Sequence, residues 1–352
     1  MSFAFPLGEK DAGRLVRRSV PARDASWGEA RSSEYRLLCA PGVELGSRER
    51  VCCVIGAFDG LHLGHRDLVS ACIADARERG VPAVLVTFDP DPSRMLRSAD
   101  PEAELLGLED RISLAQALGL DAIFVLTFDR SLATMDPDSF VRRRLFAAFR
   151  PVSVHVGANF RFGARGAGSA FTLFELGGHL GFEVSIHELL EEAGERVSST
   201  RVRGLLADGD VTGAAALLGR CHFVRGSVEH GRGEGTGFGF PTANVTCGPL
   251  ACLPKEGVYA CYATRGGRAW PAAVNVGEPP SFRSGETDGG FLEANLVGFD
   301  GDLYGDDLSV IFVERLRDSR TFSSLDELER TVLGNIDWVR KNLGEGEVDV
   351  SA

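Results

Sequence analysis

The chain has 352 residues and carries 38 Lys and Arg against 50 Asp and Glu, which gives a formal net charge of −12 at pH 7. This length suggests two domains that each bury a core, and 44% hydrophobic with 25% charged residues is typical of a globular protein. The negative charge argues against broad binding to nucleic acid or to anionic membranes, although it leaves room for a local basic pocket.

The sequence also bears on location. No stretch approaches the roughly 18–20 apolar residues that a membrane span needs. The N-terminus lacks the apolar core of a secretory signal, because Glu9, Lys10 and Asp11 interrupt it. The eight cysteines form no CxxC pair and no metal-ligand spacing. Several, such as Cys52 and Cys53, lie in apolar runs where cysteine is usually a small buried hydrophobe. We therefore expect a cytoplasmic protein with free thiols.

In the first part of the chain, residues 1–48 show no sustained periodicity and are predicted to form a variable, partly mobile lead-in. Four runs typical of buried strands follow, at 50–56, 83–88, 122–128 and 152–157. A helix with one buried face is predicted over 65–79, and two short helices over 200–207 and 211–218. Strands that alternate with helices predict crossover units and a parallel sheet.

After residue 219 the pattern changes to strand-like runs separated by turns rich in Gly and Pro. These runs lie at 223–229, 257–264, 272–276, 291–297 and 308–314. They predict an antiparallel barrel or sandwich. One amphipathic helix is predicted over 325–342. The domain boundary is therefore placed near 219–222, which divides the chain into 49–220 and 221–352.

The segment GAFDGLHLGH follows the first predicted strand and opens the helix after it. Backbone N–H groups and the helix dipole attract an anion at such a place. Gly56, Gly60 and Gly64 allow a phosphate to approach the backbone, and His62 and His65 flank the last of them. This arrangement suits nucleotidyl transfer better than a tight turn with two incidental histidines. The chain has neither a P-loop nor a GxGxxG fingerprint.

Two further segments carry polar groups suited to phosphate. In SSTRVR, Ser199 and Thr200 offer hydroxyl donors and Arg203 offers a forked cation, which predicts a second phosphate clamp or, alternatively, a helix cap with a solvated arginine. In GFGFPTAN, Thr242 and Asn244 offer oxygen ligands on one face of an extended segment. Such ligands suit Mg²⁺ shared with substrate phosphates, and the alternative is a plain barrel turn.

These motifs together resemble the bifunctional prokaryotic riboflavin kinase/FAD synthetase (FMN adenylyltransferase) family over residues 50–343. The resemblance rests on GAFDGLHLGH, TFDPDP, GANFRFG and SSTRVR in the first half. In the second half it rests on GFPTAN, LPKEGVY, NVGEPPSF, LEANLVGFDGDLYG and ERLRDSRTF. It implies a Rossmann-like nucleotidyltransferase domain followed by an antiparallel β-barrel riboflavin kinase domain with a terminal helix. Riboflavin, FMN and ATP would be the substrates, FAD the final product, and Mg²⁺ the metal.

For the adenylyltransferase, the resemblance implies that His62 and His65 hold the ATP phosphates and that Ser199, Thr200 and Arg203 complete the clamp. It places Asn159 near the flavin or the adenine, with Phe58 and Phe160 walling the pocket. Asp59 is either a ligand-orienting carboxylate or a turn cap.

For the kinase, the resemblance implies that Thr242 and Asn244 coordinate Mg²⁺ and ATP phosphates in a turn that includes Gly239 and Pro241. Glu293 would be the general base for the ribityl 5′-hydroxyl; without the resemblance it would be a solvent-facing carboxylate. Arg317 and Phe322 match a segment that closes over the substrate, here the flavin.

Four positions depart from the family pattern. Ala57 stands where Asn or Thr is frequent, and Asp91 replaces the His of a Pro-His-Pro segment. Thr236 stands where many members have a basic residue, and Gly298 replaces a frequent Asp. Asp91 either weakens ATP binding by repulsion or caps its turn.

Three functions therefore stay open, in this order. The chain is a bifunctional enzyme, or a riboflavin kinase with a weakened or re-specialised nucleotidyltransferase domain, or a non-catalytic flavin-binding regulatory protein. We expect a monomer or a weak homo-oligomer that acts on small molecules and binds neither nucleic acid nor membrane.

Overall fold

The computed structural model describes residues 8, 11–96, 102–230, 241–277 and 290–350. The chain forms two compact units. The α/β unit comprises Ala22–Glu102 and Gly107–Ser198, and the barrel unit comprises Met1–Pro21, Ala103–Leu106 and Ser199–Ala352.

The α/β unit is built on a mainly parallel sheet. The strands of the α/β unit in the described residues are β1 (Gly28–Arg31), β2 (Tyr35–Cys39), β3 (Arg50–Ile55), β4 (Ala83–Asp89), β5 (Ala122–Thr127), β6 (Arg150–Gly157), β7 (Arg161–Phe162), β8 (Gly168–Ser169), β9 (Glu183–His187), β10 (Glu191–Glu192) and β11 (Glu195–Arg196). β7 pairs with β8 and β10 with β11 in two small separate sheets. The sheet order is β1-β2-β5-β4-β3-β6-β9. Strands β5, β4, β3, β6 and β9 are mutually parallel, and β2 adds antiparallel to β5.

Burial explains the central strands. β3 is buried over its last five residues and β4 over its first six, so their continuous apolar runs are those of strands covered on both faces. The four strands predicted at 50–56, 83–88, 122–128 and 152–157 are confirmed, with ends that move by at most two residues. The predicted parallel sheet is confirmed as well.

The lead-in is more regular than predicted. Helix α1 spans Ala12–Ser19, and β1 and β2 extend the sheet through β5. Regular secondary structure therefore begins within residues 1–48, where the sequence predicted a variable, partly mobile lead-in. Leu15, Val16 and Leu38 are buried, but every residue of β1 is exposed, so an apolar period could not reveal that strand.

Helices cover and connect the strands. In the described residues of the α/β unit they are α2 (Leu63–Arg79), α3 (Pro92–Leu96), α4 (Leu108–Gln116), α5 (Arg130–Ala133), α6 (Pro137–Phe140), a π-helical turn (Val141–Leu145), α7 (Phe146–Ala148), a 3-10 turn (Ala164–Gly166) and α8 (Ala170–Leu180). The helix predicted over 65–79 is α2. It ends at Gly80, whose left-handed φ of 65° is a common helix terminator.

The barrel unit closes on itself. Its strands in the described part of the chain are β12 (Phe223–Glu229), β13 (Ala243–Cys247), β14 (Gly257–Arg265), β15 (Arg268–Val276), β16 (Phe291–Leu296), β17 (Asp307–Arg317) and β18 (Val348–Asp349). The antiparallel ring runs β12-β13-β16-β15-β14-β17 and returns to β12, and β18 pairs with β15. Of the predicted barrel or sandwich, the structure is the barrel.

Helices α9 (Ser199–Asp208), α10 (Val211–Leu218) and α11 (Leu325–Leu343) complete this unit. The side chain of Ser324 accepts a hydrogen bond from the Glu327 backbone N–H at 3.2 Å, which caps α11. Ile336, Val339 and Leu343 are its buried residues. The terminal helix predicted over 325–342 is thus confirmed. Within the described residues, no helix has the length and apolar character that crossing a membrane requires.

Candidate active sites

The turn between β3 and α2 has an unusual backbone. Phe58 and Leu61 adopt positive φ values of 56° and 41°, and Gly60 lies between them at 82°. Left-handed conformations are uncommon for residues other than glycine and cluster at functional sites. The Phe58 ring is fully buried, and a Cβ at Gly56 would lie 3.2 Å from it. Gly56 therefore makes room for the aromatic ring that supports this turn.

The two histidines lie together at the start of α2. Their rings stack with centroids 3.6 Å apart, and the His65 backbone N–H donates to His62 Nδ1 at 3.3 Å. His62 is thus the N-cap of α2. Burial lowers the pKa of His62 to about 4. Burial also lowers the pKa of His65 well below its ordinary value, with smaller contributions from His62 and Arg111.

Both rings are therefore neutral at pH 7. Because Nδ1 of His62 accepts a hydrogen bond, its proton sits on Nε2, which is a donor. Nδ1 of His65 is buried and has no hydrogen-bond partner in the described part of the structure. A neutral imidazole N–H at a helix N-terminus is suited to an anion such as phosphate.

The sheet places three of the motifs side by side. β4 and β6 are the parallel neighbours of β3, so the turns that follow all three strands lie at the same edge. The sheet order reverses direction between β3 and β6, and in open α/β sheets ligands bind in the crevice at such a point. The GAFDGLHLGH, TFDPDP and GANFRFG segments therefore meet at one edge.

The GANF turn follows β6. Its backbone is fixed because the Ala158 N–H donates to His187 O at 2.8 Å and the Phe160 N–H donates to Gly157 O at 2.9 Å. Asn159 is exposed, whereas Phe160 is partly buried and stacks on Phe162 with centroids 5.4 Å apart. Asn159 is thus available to a ligand at this edge, and its role stays a prediction.

Two carboxylates of the predicted site are placed as follows. Asp59 lies within the strained turn and is only 6% exposed. Asp91 accepts a hydrogen bond from the Ser93 backbone N–H at 2.8 Å, next to the start of α3. Of the two interpretations of Asp91, capping has a direct contact in its support.

A residue that the sequence analysis missed supports the turn. Arg111, on α4, is 3% exposed. Its Nη1 lies 2.7 Å from Ala57 O, 3.1 Å from Thr87 Oγ1 and 3.2 Å from Phe88 O, and Thr87 Oγ1 also donates to Ala57 O at 3.0 Å. An arginine inside an otherwise buried helical stretch was the available signal, since burying a charge requires a reason.

From Ser199 onward, the SSTRVR residues form the start of α9 and belong to the barrel unit. Within that unit, Arg203 Nε donates to the backbone oxygen of Ala103 at 2.7 Å. Ser199 and Thr200 lie at the N-terminus of the helix, as the capping alternative also requires. The proposed clamp with His62 stays a prediction.

The barrel brings the predicted kinase residues together. Thr242 Oγ1 donates to Glu293 Oε1 at 2.8 Å. On adjacent strands, Asn244 of β13 and Asn275 of β15 are both register partners of Glu293 on β16. All four side chains are partly buried. The site is therefore a polar cluster carried by three neighbouring strands.

Nearby contacts fix the turn before β13. The buried Asn295 side chain donates to Pro241 O at 2.8 Å, which holds the backbone one residue before Thr242. Neither Gly239 nor Thr236 falls among the described residues. Asn295 is a second residue that sequence reasoning missed.

The structure explains one departure from the family pattern. Gly298 has φ 83°, and a Cβ there would lie 2.6 Å from the Gly346 backbone nitrogen. The Gly346 N–H donates to Val297 O at 3.1 Å. A larger residue such as Asp would therefore disrupt the approach of the C-terminal segment.

The segment after β17 reaches the same cluster. The Arg317 guanidinium lies 5.7 Å from the centroid of the Phe322 ring, so these two predicted residues are in contact. Ser319 Oγ lies 3.5 Å from Asn275 Oδ1, and Asn275 pairs with Glu293 in the ladder. Ser319, which lies between Arg317 and Phe322 in the sequence, thus reaches the cluster, and the roles of Arg317 and Phe322 stay predictions.

The donor set of the cluster fits a magnesium ion. Thr242 hydroxyl, Asn244 amide and Glu293 carboxylate oxygens are hard ligands, and a hydroxyl that donates to Glu293 still has lone pairs for a cation. No group of three or more His, Cys, Asp or Glu side chains in the described ranges could hold a metal by itself. Substrate phosphates would therefore have to supply part of the coordination shell.

Comparison with known proteins identifies the family. The family model for FAD synthetase matches residues 45–201, and that for riboflavin kinase matches residues 218–343. The bifunctional riboflavin kinase/FMN adenylyltransferase of Bacillus subtilis (strain 168) is 32% identical over 280 residues, and that of Escherichia coli (strain K12) is 34% identical over 281. Each alignment covers 79% of this chain and 88% of the relative.

A solved structure is also similar over most of the chain. The crystal structure described as a macrolide-efflux protein from Streptococcus pneumoniae has a TM-score of 0.74 and 28% sequence identity, and the match covers 85% of this chain and 95% of that one. Both halves match in order, and the relatives are matched over most of their length. The chain belongs to the bifunctional riboflavin kinase/FMN adenylyltransferase family.

Proposed function

We propose that this chain makes FAD from riboflavin in two ATP-dependent steps. The barrel unit transfers the γ-phosphoryl group of ATP to riboflavin and yields FMN and ADP. The α/β unit transfers AMP from a second ATP to FMN and yields FAD and pyrophosphate. The observation that carries the proposal is the presence of two separate constellations, the stacked neutral His62–His65 pair and the Thr242–Glu293 pair.

In the kinase step, Glu293 is the general base. Thr242 fixes Oε1 of this carboxylate, which leaves Oε2 to accept the proton of the ribityl 5′-hydroxyl as that oxygen bonds to the γ-phosphorus. The bond from the γ-phosphorus to the bridging oxygen breaks, and ADP leaves. Magnesium, held by Thr242 and Asn244, neutralises phosphate charge when bound. Arg317 and Phe322 contact the flavin.

In the adenylyl transfer step, an FMN phosphate oxygen attacks the α-phosphorus of ATP and pyrophosphate leaves. His62 donates its Nε2 proton in a hydrogen bond to the polyphosphate, and His65 stacks behind it. Preorganised donors of this kind stabilise charge in the transition state without moving. The family resemblance also assigns polyphosphate binding to Ser199, Thr200 and Arg203, and Asn159 and Phe160 contact the flavin or the adenine.

We also propose domain boundaries, an oligomeric state and a cellular location. We place the functional boundaries at 49–220 and 221–352 and expect a monomer or weak homo-oligomer. Seven of the eight cysteines are buried, and all are free. Free thiols are typical of reducing compartments, which supports a cytoplasmic location. The net charge of −12 supports small-molecule substrates over nucleic acid.

One chromatographic experiment tests the proposal. Riboflavin is incubated with the protein, ATP and Mg²⁺, and the flavins are separated over time. We expect FMN to appear first and FAD to follow. FMN alone would indicate a kinase with a re-specialised first unit, and unchanged riboflavin would indicate a flavin-binding protein. Incubation with supplied FMN isolates the second step.

A further inference from the structure

Arg111 is a buried cation whose contacts are all to uncharged oxygens. Its Nη1 contacts two backbone carbonyls and one hydroxyl, those of Ala57, Phe88 and Thr87. In the part of the chain that the structure describes, no carboxylate lies within ion-pair distance of its guanidinium. The Nε atom is buried and also lacks a hydrogen-bond partner there.

A charge in this position is costly unless something compensates it. Buried arginines are usually paired, because an ion that is removed from water loses its hydration. Backbone carbonyl dipoles offset part of this cost, but they leave the net positive charge in place. An anionic ligand that binds nearby would complete the compensation.

The two histidines add no positive charge of their own at this turn. With a pKa of about 4 for His62 and a lower-than-ordinary pKa for His65, both rings are neutral at pH 7. The first turn of α2 also contains no acidic residue that could compensate the charge of Arg111. The positive field of Arg111 reaches this place, since it contributes to the lowered pKa of His65.

Arg111 also joins the turn after β3 to the neighbouring strand β4. Ala57 belongs to the strained turn after β3, whereas Thr87 and Phe88 belong to β4. A single guanidinium nitrogen therefore fixes the relative position of the phosphate-binding turn and the strand next to it. Residues in positive-φ conformations persist only where their surroundings hold them.

We propose that Arg111 is a positioning residue of the adenylyltransferase site that holds the Ala57 carbonyl and supplies the permanent positive charge against which the neutral His62–His65 pair binds the ATP polyphosphate. This inference rests on the proposed function. It assigns two roles that are separable, because a lysine can retain the charge without reproducing the forked geometry of arginine.

The test compares Arg111→Gln with Arg111→Lys in the full chain. For FAD formation from FMN, we expect Arg111→Gln to raise the KM for ATP at least tenfold, while Arg111→Lys stays within threefold of the parent. The kinase activity of both variants should match the parent, because Glu293 and Thr242 lie in the barrel unit. Arg77→Gln is the matched control, since Arg77 is a half-exposed arginine paired with Asp121, and it should leave the KM unchanged.

A purely structural role predicts something else. It would lower the melting temperature of Arg111→Gln and reduce the active fraction without changing the KM for ATP, and that result overturns the proposal. If Arg111→Gln fails to fold, Arg111→Lys decides: a KM for ATP more than tenfold above the parent contradicts the charge role, and one within threefold supports it. If the parent chain forms no FAD, the proposed function fails, and the ATP-induced shift in melting temperature of each variant still tests the Arg111 role.

Discussion

The two candidate sites are built from different kinds of structure. In the α/β unit the donors come from a turn that holds Phe58 and Leu61 in left-handed conformations and from a histidine that also caps a helix. In the barrel unit the groups are side chains on neighbouring strands, where Glu293 faces Asn244 and Asn275 in the ladder.

This contrast predicts different responses to mutation. The β-ladder of the barrel fixes its backbone independently of the catalytic side chains, so a substitution there should change chemistry with little effect on folding. In the α/β unit, His62 caps the backbone of α2 and is also the proposed phosphate donor, so a substitution should change stability and chemistry together.

Glu293→Gln should give the largest effect. Removal of a general base commonly costs about 10²–10⁴ in rate, so FMN formation from riboflavin should fall by that factor. FAD formation from supplied FMN and the melting temperature should stay unchanged.

Glu229→Gln is the matched control for this variant. Glu229, on β12, accepts a hydrogen bond from Thr246 Oγ1 of β13 at 2.9 Å, but it is exposed. It should leave both reactions intact. Riboflavin phosphorylation by Glu293→Gln at the parental rate would remove Glu293 from the role of base.

The double variant His62→Ala, His65→Ala should lose FAD formation by about 10²–10³, the cost of one lost transition-state donor, and spare the kinase. It should also lose about 1 kcal/mol of unfolding free energy, because the N-cap is gone. His62→Asn separates these effects, since asparagine retains the cap but not the Nε2 donor. Parental FAD formation by His62→Asn would assign the donor role elsewhere.

Acidification should destabilise the α/β unit through His62. Its folded-state pKa of about 4 lies below the ordinary value of 6.5, so between these values the unfolded chain binds a proton that the folded chain excludes. The stability is therefore complete above pH 6.5 and is lost as the pH falls toward 4. At pH 5 the loss from this group is about 2 kcal/mol.

Urea unfolding at pH 7.5 and pH 5 measures this loss. His62→Asn should reduce the pH dependence by about that amount. An unchanged difference between the two pH values would contradict burial of a neutral His62. His222, whose pKa burial also lowers to about 4, should give a comparable loss in the barrel unit.

Asp91 should give the smallest effect. Its contact with the Ser93 N–H predicts that Asp91→Ala loses up to about 1 kcal/mol of stability. Asp91→Asn keeps the cap and removes the charge, so it should leave both the stability and the KM for ATP unchanged. Asp91→His should also leave the KM for ATP unchanged. A lower KM for ATP in Asp91→Asn, measured at saturating FMN and fixed free Mg²⁺, would instead establish repulsion.

The central buried strands were predictable from sequence, whereas other elements were not, including β13 and α4, which also carry buried residues. The apolar runs of β3 to β6 and the amphipathic pattern of α11 are visible in the sequence because these elements are buried on one or both faces. β1 has no buried residue, so it leaves no pattern. β15 begins four residues before its predicted start at 272. The sequence did not indicate this early start, because Pro271 lies inside the strand and proline argues against a central strand.

The candidate sites show a similar limit. Motifs that are contiguous in the sequence were predictable without a structure. The contact between Thr242 and Glu293, which lie 51 positions apart, is seen only in the structure. Arg111 was missed because its acceptors lie 23, 24 and 54 positions away. Only the sheet order brings those acceptors to one guanidinium. The contacts themselves follow from tertiary structure, and the local signal was limited to a charged residue within a buried stretch of α4.

The central claim is that two independent sites in one chain act in sequence, and mixing the two inactivated proteins tests it most directly. Glu293→Gln and the double variant His62→Ala, His65→Ala are each incubated with riboflavin, ATP and Mg²⁺, separately and together, and FAD is measured by chromatography. We expect no FAD from Glu293→Gln, FMN alone from the histidine variant, and FAD from the mixture, because FMN made by one protein is adenylylated by the other. FAD from either variant alone, or a mixture that stops at FMN, would contradict the assignment.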